Sequence, residues 1–194
     1  GGANAVLAAP VYGTTSGFTT VNTLTASTNV AIDTTASTGI LSVTSLKISG
    51  NSPLTLTGLL TIGGATGGGI LVDGATTGAS ITGTGITTAS LGDFVIRVNG
   101  ASDILTLSAP VTATTTGGIT KNGAGKLILN AVNLETGTVT INEGTLQLLG
   151  STTALGGSGY NLTLRQGTTL DLNGVNVNGS SSTKAVEVLM SAGL

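Results

Sequence analysis

The sequence predicts an all-β fold, a β-solenoid of about nine coils, and three observations carry that prediction. Short apolar runs alternate with polar residues along most of the chain, which is the period-2 pattern of strands. Glycine is 32 of 194 residues against 3 prolines, which means many tight turns rather than a flexible linker. Aromatic residues are only 2 %. That is too few for a broad globular core, but enough for a thin core stacked from aliphatic side chains.

The strands follow in order. Residues 40–48 (ILSVTSLKI) alternate for most of their length, and 54–56 (LTL), 60–62 (LTI) and 70–72 (ILV) come next. Residues 94–98 (FVIRV) and 104–107 (ILTL) complete the first half. The second half gives 127–129, 139–141, 146–148, 162–164, 170–172, 175–177 and 186–188. Each places apolar side chains on one face. Turn signals separate them: Gly63-Gly64, Gly67-Gly68-Gly69, Asp73-Gly74, Asn99-Gly100, Asn122-Gly123, Glu143-Gly144, Asn173-Gly174 and Asn178-Gly179. No window carries an apolar stripe at helical spacing.

A β-sandwich and a β-solenoid both fit many short strands. The spacing favours the solenoid. From Leu127/Leu129 to Leu146/Leu148 is 19 residues, and from Val139/Ile141 to Leu162/Leu164 is 23. A return to the same face at that interval is one coil. At roughly 22 residues and about 4.8 Å per coil, the chain would make about nine coils and a rod on the order of 40 Å. The whole of 1–194 reads as one unit, with a composition shift near Gly117.

The best-defined stretch is 117–150. Thr120-Lys121-Asn122-Gly123-Ala124-Gly125-Lys126-Leu127-Ile128-Leu129 is followed by Gly137, Val139 and Ile141, then Glu143-Gly144-Thr145-Leu146-Gln147-Leu148. This resembles the autotransporter-associated β-strand repeat of bacterial surface and secreted proteins, whose pattern is T-K-x-G-x-G-x-L-x-L, a variable turn, then G-x-x-x-[VI]-x-x-G-x-L-x-L. Residues 151–174 look like its continuation. The resemblance implies a right-handed parallel β-helix and an extracellular or bacterial cell-surface location, and it implies no reaction. The expected core is Leu127, Leu129, Val139, Ile141, Leu146, Leu148, Leu162, Leu164, Leu170 and Leu172. The expected corner residues are Gly123, Gly125 and Gly144.

Composition bounds the chemistry. Charged residues are 7 %, six Lys+Arg against eight Asp+Glu, for a net charge of −2. That is too little to draw the chain onto nucleic acid or an anionic membrane. With no cysteine and no histidine, thiolate catalysis and the commonest metal ligands are excluded. No cofactor is expected. The uncharged run at 48–72 is broken by Pro53 and several glycines, so it is no membrane helix. The first residue is glycine and no signal peptide is visible, so the expectation is a processed or partial chain.

Parallel β-helices can host polysaccharide-active enzymes, so carboxylate pairs were weighed. Asp93 and Asp103 flank one strand with Arg97 between them, which makes the best such cluster in the sequence. Asp73-Gly74 and Glu143-Gly144 read as turn chemistry. Gly125-Lys126 is followed by Leu127, which breaks the phosphate-loop pattern, so the Lys121–Lys126 turn reads as a corner. Gly67-Gly68-Gly69 lacks a dinucleotide-binding context. Ser181-Ser182-Thr183-Lys184 has no helix to align it. Asn161-Leu162-Thr163 and Asn178-Gly179-Ser180 match glycan acceptor sequons and ordinary turn usage alike.

The expected function is therefore a non-enzymatic extracellular rod. Neither end reads as a polar cap. Residues 1–10, with Val6 and Leu7, and 184–194, with Val186, Val188 and Met190, are expected assembly segments. Their partner would be a second copy or neighbouring repeats of a longer chain. The alternatives are an adhesin passenger that binds through a lateral face and, third, a polysaccharide-active enzyme.

Overall fold

The computed structural model describes residues 18–20, 27–33, 35–39, 41–63, 68–89, 93–112, 117–134, 137–157 and 161–175. Among them every regular element is a β-strand and every strand pairing is parallel. No described helix is long and apolar enough to cross a membrane.

The strands come in successive turns. β1 (Phe18–Thr20) pairs with β2 (Ser27–Ile32). Then come β3 (Ala36–Thr38) and β4 (Leu41–Ser49). β5 (Pro53–Leu56) and β6 (Leu60–Ile62) follow. The next turn is β7 (Gly69–Asp73), β8 (Ala79–Gly83) and β9 (Ile86–Thr88). After it come β10 (Phe94–Val98), β11 (Ile104–Leu107) and β12 (Val111–Thr112). Three two-strand turns finish the described fold: β13 (Ile119–Asn122) with β14 (Lys126–Leu129), β15 (Val139–Ile141) with β16 (Thr145–Leu148), and β17 (Leu162–Leu164) with β18 (Thr169–Asp171).

These strands stack into a parallel β-solenoid. β3, β5, β8, β11, β14, β16 and β18 form a seven-stranded sheet. An eleven-stranded sheet has two arms that share β4. The long arm runs through β2, β4, β7, β10, β13, β15 and β17, and the short arm through β4, β6, β9 and β12. β4 serves both by slipping phase. Leu41 and Val43 are buried where it pairs with β6, while Leu46 and Ile48 are buried where it pairs with β7. The break at Thr44 and Ser45 turns the chain from one face to the next.

The core is a set of vertical columns. Val30, Leu46, Ile70 and Ile96 sit in register on the long arm. Ala36, Leu54, Ile81, Leu107, Leu129 and Leu148 do the same on the seven-stranded sheet. Both predicted stackings hold: Leu127/Leu129 pair with Leu146/Leu148, and Val139/Ile141 with Leu162/Leu164. Each fully buried aliphatic side chain contributes about 1.5–3 kcal/mol.

The expected count of about nine coils is corrected downward. From β5 to β18 the seven-stranded sheet makes five turns, with β3 one shorter step below them. At about 4.8 Å per step the described stack is roughly 30 Å tall. The turn length is uneven. Leu54 to Ile81 takes 27 residues and Ile81 to Leu107 takes 26, whereas Leu127 to Leu146 takes 19. The earlier turns are longer because they carry a third strand on the short arm, which the later ones lack.

That missing strand is replaced by a side chain. The Val111 N–H donates to Asn133 Oδ1 at 2.8 Å, and Asn133 Nδ2 donates to the Ala154 carbonyl at 2.6 Å. The buried Asn133 amide thus stands where a peptide group of the next rung would stand.

Leu127, Leu129, Val139, Ile141, Leu146 and Leu148 are fully buried, and Leu162 nearly so. Leu164 and Leu170 pack partly buried against them. Leu172 is a correction: it is 39 % exposed. β18 ends at Asp171, and the chain turns through Asn173 (φ 46°) and Gly174 (φ 74°). Val175 instead packs against the core. Residues 1–10 and 184–194, with Val6, Leu7, Val186, Val188 and Met190, lie outside the described residues.

Burial sets the cost of truncation. Leu146→Ala should lower stability by about 2–5 kcal/mol. Leu172→Ala should stay within about 0.5 kcal/mol of the parent. Denaturant midpoints read both, and equal losses at the two positions would contradict this core.

Candidate functional site at the stacked glycine corners

The corners that join the long arm to the seven-stranded sheet lie on top of one another. Residues 99–103, 123–125 and 142–144 are three successive corners, and backbone bonds tie each to the one beneath. The Gly125 N–H donates to the Val98 carbonyl at 3.0 Å, Lys126 N–H to the Asp103 carbonyl at 2.9 Å, and Thr145 N–H to the Gly125 carbonyl at 3.2 Å.

This contact is too close for a side chain. At Gly123 (φ 81°) an added Cβ would lie 2.1 Å from the Val98 carbonyl oxygen. At Gly144 (φ 70°) it would meet the Gly125, Gly123 and Ala124 carbonyl oxygens at 2.5, 2.6 and 2.7 Å. Gly125 would meet the Gly100 and Asp103 carbonyl oxygens at 2.6 Å. The three expected corner glycines are thus the points where successive corners touch.

Tight corners turn carbonyl oxygens inward, where no water can reach them. Lys121 answers that need. Its strand phase places it in the core column between Ile96 and Ile141, and it is fully buried. Its Nζ donates to the carbonyls of Asn122 at 2.8 Å, Gly123 at 2.7 Å and Glu143 at 3.1 Å. An ammonium has three donors, and all three are used across two adjacent corners. Sequence reasoning placed Lys121 in the corner and missed that it points inward. The signal was its two-residue offset from Ile119.

Burial is the main influence on the Lys121 ammonium and lowers its pKa from 10.5 to about 8. Glu143 opposes that shift, and Arg97 adds to it. Glu143 Oε2 also accepts from the Gly123 N–H at 2.8 Å and lies 3.7 Å from Arg97 Nη1. Both side chains of that ion pair are about half exposed, so it contributes little by itself.

The carboxylates weighed for catalysis are occupied by turns. Asp103 is buried and accepts from the N–H groups of Gly100 at 2.8 Å and Gly74 at 3.1 Å. Asp93 accepts from Gly118 N–H at 3.2 Å and Thr120 Oγ1 at 2.9 Å. They sit at opposite ends of β10, and the Arg97 contacts go to Asn99 and Glu143 instead. Asp73 accepts from Asn99 Nδ2 at 3.1 Å and lies 3.9 Å from Lys47 Nζ. Asp171 accepts from Gln147 Nε2 at 2.6 Å. Among the described residues no group of three or more Asp or Glu is arranged to hold a metal ion.

These corners fall in a recognisable unit. Residues 119–148 match the family model of the passenger-associated-transport-repeat. The repeat and the β-solenoid around it fit an autotransporter passenger repeat family. The match covers β13 to β16, the same stretch whose sequence resembles the autotransporter-associated repeat. No curated protein and no solved structure matches the chain. A passenger-associated repeat implies a secreted or cell-surface protein. Within the repeat, the Thr-Lys pair supplies the buried donor and the glycines supply the corner contacts.

The lysine makes stability depend on pH. Between about pH 8 and pH 10.5 the unfolded chain holds a proton on Lys121 that the folded chain has released. Stability relative to a Lys121→Met variant should therefore rise as pH increases through that window. Denaturant midpoints of the two proteins across pH 7–11 test this, and a constant difference would refute it.

Proposed function

We propose that this chain is a non-enzymatic structural segment of an autotransporter-type passenger: a stiff rod held at a bacterial surface or in an extracellular filament. The observation that carries the reading is the unbroken parallel stack. Every turn from β5 to β18 pairs with its neighbour, and the inner columns hold aliphatic side chains that serve packing alone. The described polar groups at the corners are turned to the same use. Asp103, Glu143 and Lys121 each close backbone bonds of neighbouring turns.

The rod would be extended end on. A solenoid's terminal strands carry free backbone donors and acceptors, which a further rung can pair. That rung would come from a second copy or from neighbouring repeats of a longer chain, with residues 1–10 and 184–194 as the contact segments.

A second reading has one observation in its favour. Val132 and Leu134 flank the buried Asn133 and are 54 % and 55 % exposed. An apolar lateral site of that kind would suit an adhesin passenger that binds a surface ligand.

Removing residues 184–194 should leave the rod folded, by circular dichroism, and abolish end-to-end assembly. Filaments that persist in electron micrographs of the shortened chain would rule out the assembly role. A Val132→Ser, Leu134→Ser variant that loses binding on a glycan or protein array would favour the adhesin reading.

A further inference from the structure

Three Asn-Gly pairs lie among the described residues, and their surroundings differ. Asn-Gly is the dipeptide most open to succinimide chemistry, because glycine offers no side chain to hinder attack. The backbone nitrogen of the glycine attacks Cγ of the asparagine. A C–N bond forms, the Cγ–Nδ2 bond breaks, and ammonia leaves with the proton from the glycine N–H. Water then opens the ring at either carbonyl, giving aspartate or isoaspartate. The attacking N–H must be free to lose its proton, and the asparagine side chain must be free to swing over its own backbone.

Two of the pairs are held back on both counts. At Asn99-Gly100, the Gly100 N–H donates to the buried Asp103 carboxylate at 2.8 Å. The Asn99 side chain is pinned between Asp73 and Arg97, at 3.1 Å each. At Asn122-Gly123, the Gly123 N–H donates to Glu143 Oε2 at 2.8 Å, and Asn122 Oδ1 accepts from Asn142 Nδ2 at 2.9 Å. A carboxylate on the N–H also raises the energy of the amide anion that attack requires, because two negative charges would then adjoin.

The third pair has neither restraint. Asn173 and Gly174 are exposed in the turn after β18. Only the Asn173 backbone is tied down, its N–H donating to Asp171 at 2.9 Å. No described residue accepts from the Gly174 N–H or bonds the Asn173 side-chain amide.

We propose that Asn173-Gly174 is a deamidation site of this protein, and that the corner carboxylates Asp103 and Glu143 shield Asn99-Gly100 and Asn122-Gly123 from the same reaction. Deamidation at Asn173 places a new carboxylate beside Asp171. In its isoaspartyl form it adds a backbone carbon to the turn that leaves β18. The inner corners keep their amides, and with them the side-chain ladder across the repeat. This goes beyond the structural role proposed above and stands without it.

The test incubates the full 194-residue chain in mildly alkaline buffer, with peptide mapping by mass spectrometry at each Asn-Gly pair. Asn178-Gly179, which lies outside the described residues, is scored separately. Asn173 should convert about tenfold or more faster than Asn99 and Asn122, the rate equivalent of one charge-assisted hydrogen bond. Glu143→Ala should speed conversion at Asn122 by a similar factor and leave Asn99 unchanged. The wild-type comparison needs no variant to fold. Equal wild-type rates at the three pairs would overturn the proposal. So would acceleration at Asn99 as well as Asn122 in the variant, which would mean general fraying. Slower or unchanged conversion at Asn122 would also overturn it, because Glu143 would then be a base or a bystander.

Discussion

Each turn of this molecule is completed by the turn beneath it, through parallel backbone ladders that hold strands about 4.8 Å apart. That spacing governs everything else. An inward side chain must match the one below, so leucine, isoleucine and valine repeat in columns. A corner must lie flat on the corner below, so glycine occupies the points of contact. Because a thin core of this kind needs no aromatic bulk, a chain with 2 % aromatics can still bury most of its aliphatic residues.

The same constraint explains the one charge inside. Stacking two tight corners leaves three carbonyl oxygens facing inward, and unpaired buried carbonyls are costly. A hydrophobic residue at position 121 would complete the column from Ile96 to Ile141 but would leave those oxygens unpaired. Lysine spans the gap with an apolar stem and three donors. The cost of burying its ammonium shows in the lowered pKa. Asn133 solves a related problem differently, with its side-chain amide filling a rung that the short arm lacks.

Much of the fold was legible because it is local. Alternation along a strand places side chains on opposite faces wherever the strand goes, so the paired leucines and valines of 127–164 could be aligned from spacing alone. Turn glycines mark corners for the same reason. The candidate site was half legible. Gly123, Gly125 and Gly144 could be read as corners, while the carbonyls that hold Lys121 come from residues as far as 22 positions away, at Glu143. The pairing of Asp93 and Asp103 across a strand failed for a similar reason. Each is taken by backbone N–H groups of a different turn, Asp103 by Gly74 from 29 residues earlier.

The sequence by itself determined the strand class, the inward phase of nearly every apolar residue and the places where the chain must turn, because short-range periodicity and glycine backbone freedom settle these. Only the tertiary structure decided how many turns there are, since that depends on whether a turn carries a third strand. It alone decided that Leu172 faces outward, since no described rung follows β18 to keep it in the column. It alone turned Lys121 inward to bind two corners, because its acceptors meet only when successive turns stack.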